Sequence, residues 1–301
     1  GTVPAADAEG LLALLLESLR RPDFSALERE RTVIRLERRL FGEDLAGQAA
    51  ALGWAGHPLG RPVSGDDFDG LDESTLRGYW QRLLVGRRLW LVAVGPQSPD
   101  WLARRLDWLA GLPAGAVAVS DPPPTWRGGW FRRAPAGGPG RVLWSMPVAG
   151  AAAGVDHGLL MLQGLLGGGG DSLLYQRLRE HHGWVYGIDS WLEQYREAGL
   201  WSLDMACEPG RVEALMEVVA AVVCGVLEVP PDTATLDGLR RGLVARLLLD
   251  EVDPGRAAAR LARETVYLGT PLSLARHRAG FAAVDGSNLR TRLKMAWPAQ
   301  L

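Results

Sequence analysis

The chain has 301 residues and a formal net charge of −2, and 47% of its residues are hydrophobic while 23% are charged. This balance is typical of a globular protein large enough for two domains, and its near-neutral charge provides no field that would attract nucleic acid. The longest apolar run, Val218–Leu227, is far shorter than the roughly 20 residues of a membrane span. We therefore expect neither nucleic-acid binding nor a membrane span.

Hydrophobic periodicity and capping residues predict helices and strands along the whole chain. The predicted helices lie near residues 7–20, 24–41, 43–54, 73–84, 98–110, 153–166, 172–182, 210–228, 233–250, 254–268 and 286–296, and the predicted strands near 88–95, 126–133, 141–147, 184–193 and 198–206. Residues 120–129, with three prolines and two glycines, suit neither and form the predicted linker. We therefore predict an α+β fold, with one domain over 1–119 and a second over 130–301.

The two predicted domains share an internal sequence repeat, because the residue pattern of 57–80 recurs at 270–293, at an offset of 213 residues. A spacing this long indicates a duplicated domain of antiparallel or mixed sheet covered by helices, rather than a solenoid. In this alignment residue 1 is level with about residue 205, and residue 301 with about residue 88. We therefore expect a first domain truncated at its N-terminus and a second without its last strand. Chance similarity between amphipathic helical stretches is the alternative.

Two glutamates lie on the predicted apolar face of the helix at residues 26–41. On a helical wheel Glu30 and Glu37 fall near the centre of the apolar arc, opposite the arginines. Buried carboxylates must be paired, protonated or metal-bound, because an unpaired buried charge costs several kcal/mol. Their seven-residue spacing suits one metal ligand and one supporting carboxylate better than two ligands of one ion. Pairing with arginines across a domain contact is the alternative.

The histidines do not complete a zinc site by themselves. None of them forms H-E-x-x-H or H-x-x-E-H; they are His57, His157, His181, His182 and His277. The adjacent pair at 181 and 182 is predicted to close a helix, where the helix dipole favours it.

Four consecutive glycines, Gly167, Gly168, Gly169 and Gly170, precede a predicted helix, as in many phosphate-binding loops. A P-loop needs a lysine that is absent here, and a dinucleotide fingerprint needs a glycine where Ser172 stands. The sequence therefore excludes both nucleotide templates. What remains is a flexible hinge, followed by a helix that Asp171 or Ser172 caps and that ends at glycine 183.

An arginine and a tyrosine flank the end of this helix. Arg179 lies in its last turn, and Tyr186 opens a predicted strand. A helix–turn–strand unit of this kind can bring a guanidinium and a phenol into one cleft, where their donors suit a peptide carbonyl or a developing oxyanion. An ordinary surface arginine beside a half-buried tyrosine is the alternative.

Taken together, residues 28–40, 57–65 and 165–201 resemble the insulinase/pitrilysin family of zinc metallopeptidases, in particular its bacterial branch that is similar to processing peptidases. In that family an H-x-x-E-H helix supplies two zinc-binding histidines and the general base, and a later glutamate completes the metal site. The resemblance implies that Glu37 is that third ligand and Glu30 its supporting, catalytic-site glutamate. Because these residues contain no H-x-x-E-H helix, we expect no peptide hydrolysis by this chain alone.

The resemblance also assigns roles in the second domain. It implies that Arg179 and Tyr186 hold the substrate backbone and stabilise the tetrahedral intermediate, and that glycines 167–170 form a structural hinge. It further implies two domains that close as a clam shell over an unfolded peptide, zinc in the complete enzyme or its partner rather than in this chain alone, and a homo- or heterodimer with a related metallopeptidase subunit.

Two other interpretations remain open. In the first, the chain is a non-catalytic structural or substrate-recognition subunit of a heteromeric peptidase. In the second, it is an unrelated α+β interaction module. The two cysteines leave the compartment undecided between bacterial cytoplasm and periplasm.

Overall fold

The computed structural model describes residues 1–41, 44–61, 68, 70–116, 122–132 and 138–297, with residues 38–41 described by their backbone alone. Helices dominate these residues, and three strands join them. In chain order the elements are α1 (Ala8–Arg20), α2 (Leu27–Phe41), α3 (Leu45–Gly53), α4 (Glu73–Leu83), α5 (Pro99–Ala103), β1 (Gly140–Ala149), α6 (His157–Gly167), a π-helical segment (Tyr175–His181), β2 (Ile188–Gln194), β3 (Ala198–Cys207), α7 (Val212–Glu228), α8 (Thr233–Val252), α9 (Pro254–Leu268), α10 (Leu274–Ala282) and α11 (Gly286–Ala296). The predicted α+β class is confirmed.

The chain divides into two compact units that are interleaved along the sequence. The first unit comprises Gly1–Asp44, Val63–Asp121 and Asp250–Val266, and the second comprises Leu45–Pro62, Pro122–Leu249 and Tyr267–Leu301. The predicted domain boundary between residues 119 and 120 lies outside the described residues. The domain limits 1–119 and 130–301 therefore stay a prediction.

The second unit contains an antiparallel sheet with strand order β1–β3–β2. Central strand β3 pairs with β1 from Gly140 opposite Cys207 to Ala149 opposite Ala198, and with β2 from Ile188 opposite Met205 onward. Within the described residues β1 and β2 are therefore edge strands. Pro147, opposite Leu200, interrupts the row of backbone donors in β1.

Strand β3 is buried on both faces of the sheet. Alternate side chains point to opposite faces of a strand, and Trp201, Leu203 and Met205 face the main core with 1% exposure or less. Helices α6, α7 and α11 contribute many of the other large apolar side chains of this core, among them Leu162, Leu166, Leu215, Val219, Leu289 and Leu293. Burial of these side chains is the main stabilising contribution in this unit.

The opposite face of the sheet is covered by a small aromatic cluster. Trp54, 1% exposed, packs on Leu200 and makes edge contacts to the rings of Trp126 and Tyr195 at centroid distances of 6.0 and 6.1 Å. Burial, followed by its hydrogen bond to the Glu193 carboxylate, raises the pKa of Tyr195 to about 12. The phenol of Tyr195 is therefore a donor at neutral pH.

Two predicted strands, at 88–95 and 126–133, are wrong for the described residues. Residues 89–95 form neither helix nor strand, and Trp90 is 49% exposed. In the second segment the amide of Arg127 donates to the carbonyl of Gly53 at 2.7 Å instead of to a strand. A strand forms only where a neighbouring strand pairs with its backbone, which periodicity in one segment does not reveal. Helix α10 was not predicted, although Ser273 caps it by accepting from the amide of Arg276.

The two copies of the internal sequence repeat have matching helix caps. Asp72 accepts hydrogen bonds from the Thr75 amide at 2.7 Å and the Ser74 hydroxyl at 2.9 Å at the start of α4. Asp285, at the start of α11, accepts from the Asn288 amide at 2.8 Å and the Ser287 hydroxyl at 2.7 Å. These backbone and side-chain donors lower the pKa of both carboxyl groups from 3.8 to about 2. The shared contacts support the predicted duplication, which itself stays a prediction.

We expect Asp285→Ala to lower the melting temperature by roughly 2–4 °C at pH 7, because the first turn of α11 loses its cap. The folded-state pKa lies below the unfolded-state value of about 3.8, so the carboxylate stabilises the fold above that pH and ceases to do so as the pH falls towards 2. The difference between wild type and variant should therefore narrow over that range in thermal melts. Asp171→Ala is the control, and a constant difference from pH 7 to pH 2 would contradict the role of the charge.

Candidate functional site

The glycine run forms a turn and also allows close packing of the backbone. A Cβ on Gly167 would lie 2.8 Å from Cδ2 of Leu203, and one on Gly168 would lie 2.6 Å from the Cα of Gly164. Gly169 has a φ of 134°, which side chains rarely adopt, whereas Gly170 faces open space. The first two glycines thus let the end of α6 approach the sheet and its own preceding turn closely. The hinge role of the four glycines stays a prediction.

Ser172 joins the glycine run to the next helix. Its carbonyl accepts from the amide of Gln176 at 2.9 Å, and its buried hydroxyl donates to the carbonyl of Gly169 at 2.7 Å. Helical structure thus begins near the predicted capping residues, but the Ser172 side chain holds the loop rather than capping an amide. This bond fixes the direction in which the helix leaves the loop.

The helix that follows is π-helical over Tyr175–His181. The amide of His182 bonds to the carbonyl of Arg177, five residues before it, at 3.2 Å. Gly183, with a φ of 63°, ends the helix as predicted and lets the amide of Trp184 reach the carbonyl of Leu178 at 3.0 Å. Segments of π-helix are rare and occur frequently at functional sites.

The structure brings Arg179 and Tyr186 together at the end of this segment. One guanidinium N–H of Arg179 donates to the carbonyl of Val185 at 3.1 Å, and the guanidinium carbon lies 5.3 Å from the centroid of the Tyr186 ring. This contact orients the guanidinium, and its other N–H groups form no hydrogen bond within the described residues. Tyr186 is 87% exposed and precedes β2, which begins at Ile188. Tyr186 therefore lies just before the strand that it was predicted to open.

Glu30 and Glu37 lie on α2 in the first unit, and both side chains are exposed. The apolar residues beside them are exposed as well, with Ile34 at 38% and Leu36 at 54%. Glu30 accepts two hydrogen bonds from its neighbour Arg29, at 3.2 and 3.0 Å, and its pairing with an arginine across a domain contact stays an untested alternative. The predicted burial of this face is therefore wrong for the described residues, and the proposed roles of both glutamates stay predictions.

Zinc does not fit the residues that the structure describes. Within those residues no three His, Cys, Asp or Glu side chains come close enough to hold a metal ion. His57 bonds the carbonyl of Pro122, and His157 lies 3.2 Å from His277 between their ring nitrogens. His181 and His182 close the π-helical segment, as the dipole argument predicts for the last turn. Glu37 as a zinc ligand would need histidines from elsewhere.

None of the helices in the described part of the chain combines the length and apolar composition needed to cross a bilayer.

The second unit is thus an α+β fold with a small antiparallel sheet. Arg179 and Tyr186 lie together at the end of its π-helical segment. The sequence matches the peptidase M16 inactive domain over residues 71–243, which is more than half of the chain. The chain therefore belongs to the M16 peptidase family, and the resemblance to zinc metallopeptidases inferred from its sequence is confirmed.

Curated relatives support the same assignment. An uncharacterized zinc protease of Mycobacterium leprae is 28% identical over 197 residues, covering 61% of this chain and 43% of the relative. An uncharacterized zinc protease of Mycobacterium bovis is 26% identical over 272 residues, covering 82% of this chain and 59% of the relative. The chain thus spans roughly half the length of these relatives. Their names support zinc as the metal of the family.

Solved structures show the same fold at low identity. A protease from Helicobacter pylori has a TM-score of 0.77 at 15% identity, with 98% of this chain and 74% of that chain covered. The peptidase M16 inactive domain from Pseudomonas fluorescens has a TM-score of 0.75 at 18% identity, with 99% and 74% covered. A chain of Complex III2 from Candida albicans has a TM-score of 0.74 at 14% identity, with 94% and 70% covered.

Proposed function

We propose that this chain binds unfolded peptides through Arg179 and Tyr186 and supplies the substrate-holding half of an M16 zinc endopeptidase. The observation that carries the proposal is the anchored guanidinium of Arg179 beside the exposed ring of Tyr186. Binding in a clam-shell chamber, with a related metallopeptidase subunit as homo- or heterodimer partner, is part of the same proposal.

The two side chains suit a peptide backbone for separate physical reasons. Arg179 is a permanent cation whose contact with the Val185 carbonyl keeps its planar donor group oriented before a ligand arrives. Tyr186 adds a phenolic donor and a ring face on an exposed, short connection to β2. Directed donors of this kind bind a carbonyl oxygen and stabilise the negative charge that develops on it during hydrolysis. This recognition reads the backbone and needs no particular peptide sequence.

Peptide binding by the chain tests the proposal. We expect fluorescence anisotropy with a labelled unfolded peptide to show binding that weakens about tenfold in Arg179→Ala, because a charge-assisted hydrogen bond is lost. Tyr186→Phe should weaken it less, because the ring remains. Arg276→Ala, which removes an exposed arginine from α10 in the same unit, is the matched control. Equal affinity of all four proteins would overturn the assignment of the site.

The alternative function is a non-catalytic structural or recognition subunit of a heteromeric peptidase. Two observations support this alternative. The side chains of Glu30 and Glu37 are exposed, and the described residues contain no group that could hold a metal ion. Hydrolysis of a fluorogenic peptide by the protein at its full natural length, with and without a zinc chelator, separates the two functions. Chelator-sensitive turnover that Glu37→Gln abolishes supports the enzyme, whereas peptide binding without turnover supports the subunit.

A further inference from the structure

The second unit contains a groove on its helical side, apart from the contact between Arg179 and Tyr186. Its walls are the end of α6, the residues around the start of the π-helical segment, helix α7 and residues 229–235. Its volume is about 730 Å³, within the range of roughly 300–1,000 Å³ found for sites that bind small molecules. Leu165 and Val226 lie buried in it, and Val229 at its rim is 76% exposed. The groove is therefore open to a ligand of small-molecule size.

The walls of this groove are apolar and offer almost no backbone hydrogen bonds. Leucine, valine, alanine and proline side chains form most of the lining, and α7 contributes the largest share of them. Backbone groups inside a helix are already paired. The connection between α7 and α8 contributes Pro230 and Pro231, which have no amide hydrogen. A peptide would leave its own buried amides unpaired here, which is unfavourable. An aliphatic chain carries no such cost.

One end of the groove is cationic. Arg177 and His182 line it, and the His182 ring stacks on Trp184 at 4.2 Å between centroids. The guanidinium carbon of Arg211 lies 5.3 Å from the centroid of the same Trp184 ring. Partial burial, followed by the positive charges of His181, Arg177 and Arg211, lowers the pKa of His182. These groups are thus close enough to act on one another.

Few carboxylates oppose this positive charge. Glu208 lies 3.9 Å from Arg211 in an exposed contact, and Asp232, which lines the groove, accepts a hydrogen bond from the amide of Thr235 at 2.8 Å. Within the part of the chain that the structure describes, Arg177 forms no ion pair. An anionic group at this end would therefore gain charge-assisted hydrogen bonds without displacing an existing partner of Arg177.

We propose that the groove binds a single aliphatic chain that carries an anionic headgroup, with the chain between α6 and α7 and the headgroup at Arg177 and Arg211. This is a binding site for an amphiphile, separate in position and chemistry from the peptide site. Carboxylate and phosphate headgroups share the required charge. The proposal does not depend on peptide binding.

Isothermal titration calorimetry with dodecanoate and with dodecyl phosphate, both below their micelle concentrations, tests the site. We expect saturable binding of one molecule per chain, and the tighter of the two identifies the preferred headgroup. Dodecyltrimethylammonium, with the same chain and the opposite charge, should bind at least tenfold more weakly. No saturable binding of either anion, or equal binding of the cation, would overturn the proposal.

Variants locate the bound molecule. Arg177→Gln should weaken binding of the anion about tenfold, because one charge-assisted contact is lost, and Ala221→Trp should abolish it by filling the groove from an exposed position on α7. Arg276→Gln is the matched control, and thermal melts verify that each variant is folded. Unchanged affinity in both Arg177→Gln and Ala221→Trp would show that the amphiphile binds elsewhere.

Discussion

Replacing Trp201 with alanine is expected to lower the free energy of unfolding by about 3–5 kcal/mol, the usual effect of removing a large buried aromatic side chain. Trp201 is fully buried at the centre of β3, between Met146 of β1 and Leu192 of β2, and its indole N–H donates to the hydroxyl of Ser190 at 3.0 Å. The substitution therefore leaves a cavity and removes a hydrogen bond at the same time. Urea denaturation followed by far-UV circular dichroism measures the change.

A matched tryptophan provides the control. Trp130 is 85% exposed in the same unit, so Trp130→Ala should change the free energy of unfolding by no more than about 0.5 kcal/mol. Trp201→Phe retains most of the buried ring and should fall between the two alanine variants. A loss below about 1 kcal/mol in Trp201→Ala would mean that the core of the second unit does not depend on β3 as described.

Replacing Gly150 with alanine is expected to lower the free energy of unfolding by about 3 kcal/mol. A Cβ at this position would lie 2.3 Å from the carbonyl carbon of Glu197 and 2.4 Å from the amide nitrogen of Ala198. Both atoms are backbone atoms, one at the end of the connection between β2 and β3 and one at the start of β3, so no change of rotamer relieves the overlap. The amide of Ala151, which donates to the carbonyl of Tyr195 at 2.8 Å, would be displaced as well. The same urea denaturation experiment gives the cost of Gly150→Ala.

The matched control for Gly150 should have the opposite effect. Gly238 lies inside α8, and a Cβ there would meet nothing within 4 Å. Gly238→Ala should therefore stabilise the fold by about 0.5–1 kcal/mol through its higher helix propensity. If Gly150→Ala were as stable as wild type, the close approach between the end of β1 and the β2–β3 connection would be incorrect.

Local patterns in the sequence were sufficient for many elements of the second unit. Alternation of apolar residues predicted strands at 141–147, 184–193 and 198–206, and the structure has them at 140–149, 188–194 and 198–207. Gly183 is predicted as a helix stop because glycine is the usual residue just after a helix, and the structure gives it a φ of 63°. These signals depend on residues adjacent in the chain, so they can be read before the tertiary structure is known.

Features that depend on distant residues or on backbone geometry were not predicted. The π-helical turn at Tyr175–His181 has no characteristic residue pattern, because it differs from an α-helix by one added residue per turn of hydrogen bonding. The cationic end of the groove depends on Arg177 and Arg211, which are far apart in sequence but both lie close enough to His182 to lower its pKa. The exposure of Glu30 depends on what packs against α2, and a helical wheel cannot show that.

Because of Pro147, the two edges of the sheet differ in how well they can pair with a strand of another chain. A strand added beside β1 would find no amide donor at Pro147, so its ladder would be interrupted near the C-terminal end of β1. The sequence of β2, from Ile188 to Gln194, contains no proline, so every residue of this strand keeps its amide donor, although the carbonyl of Ser190 already accepts from the side chain of Gln163 at 2.7 Å. Growth of the sheet by another chain, whether in recognition or in aggregation, is therefore directed to the β2 edge, which begins two residues after Tyr186.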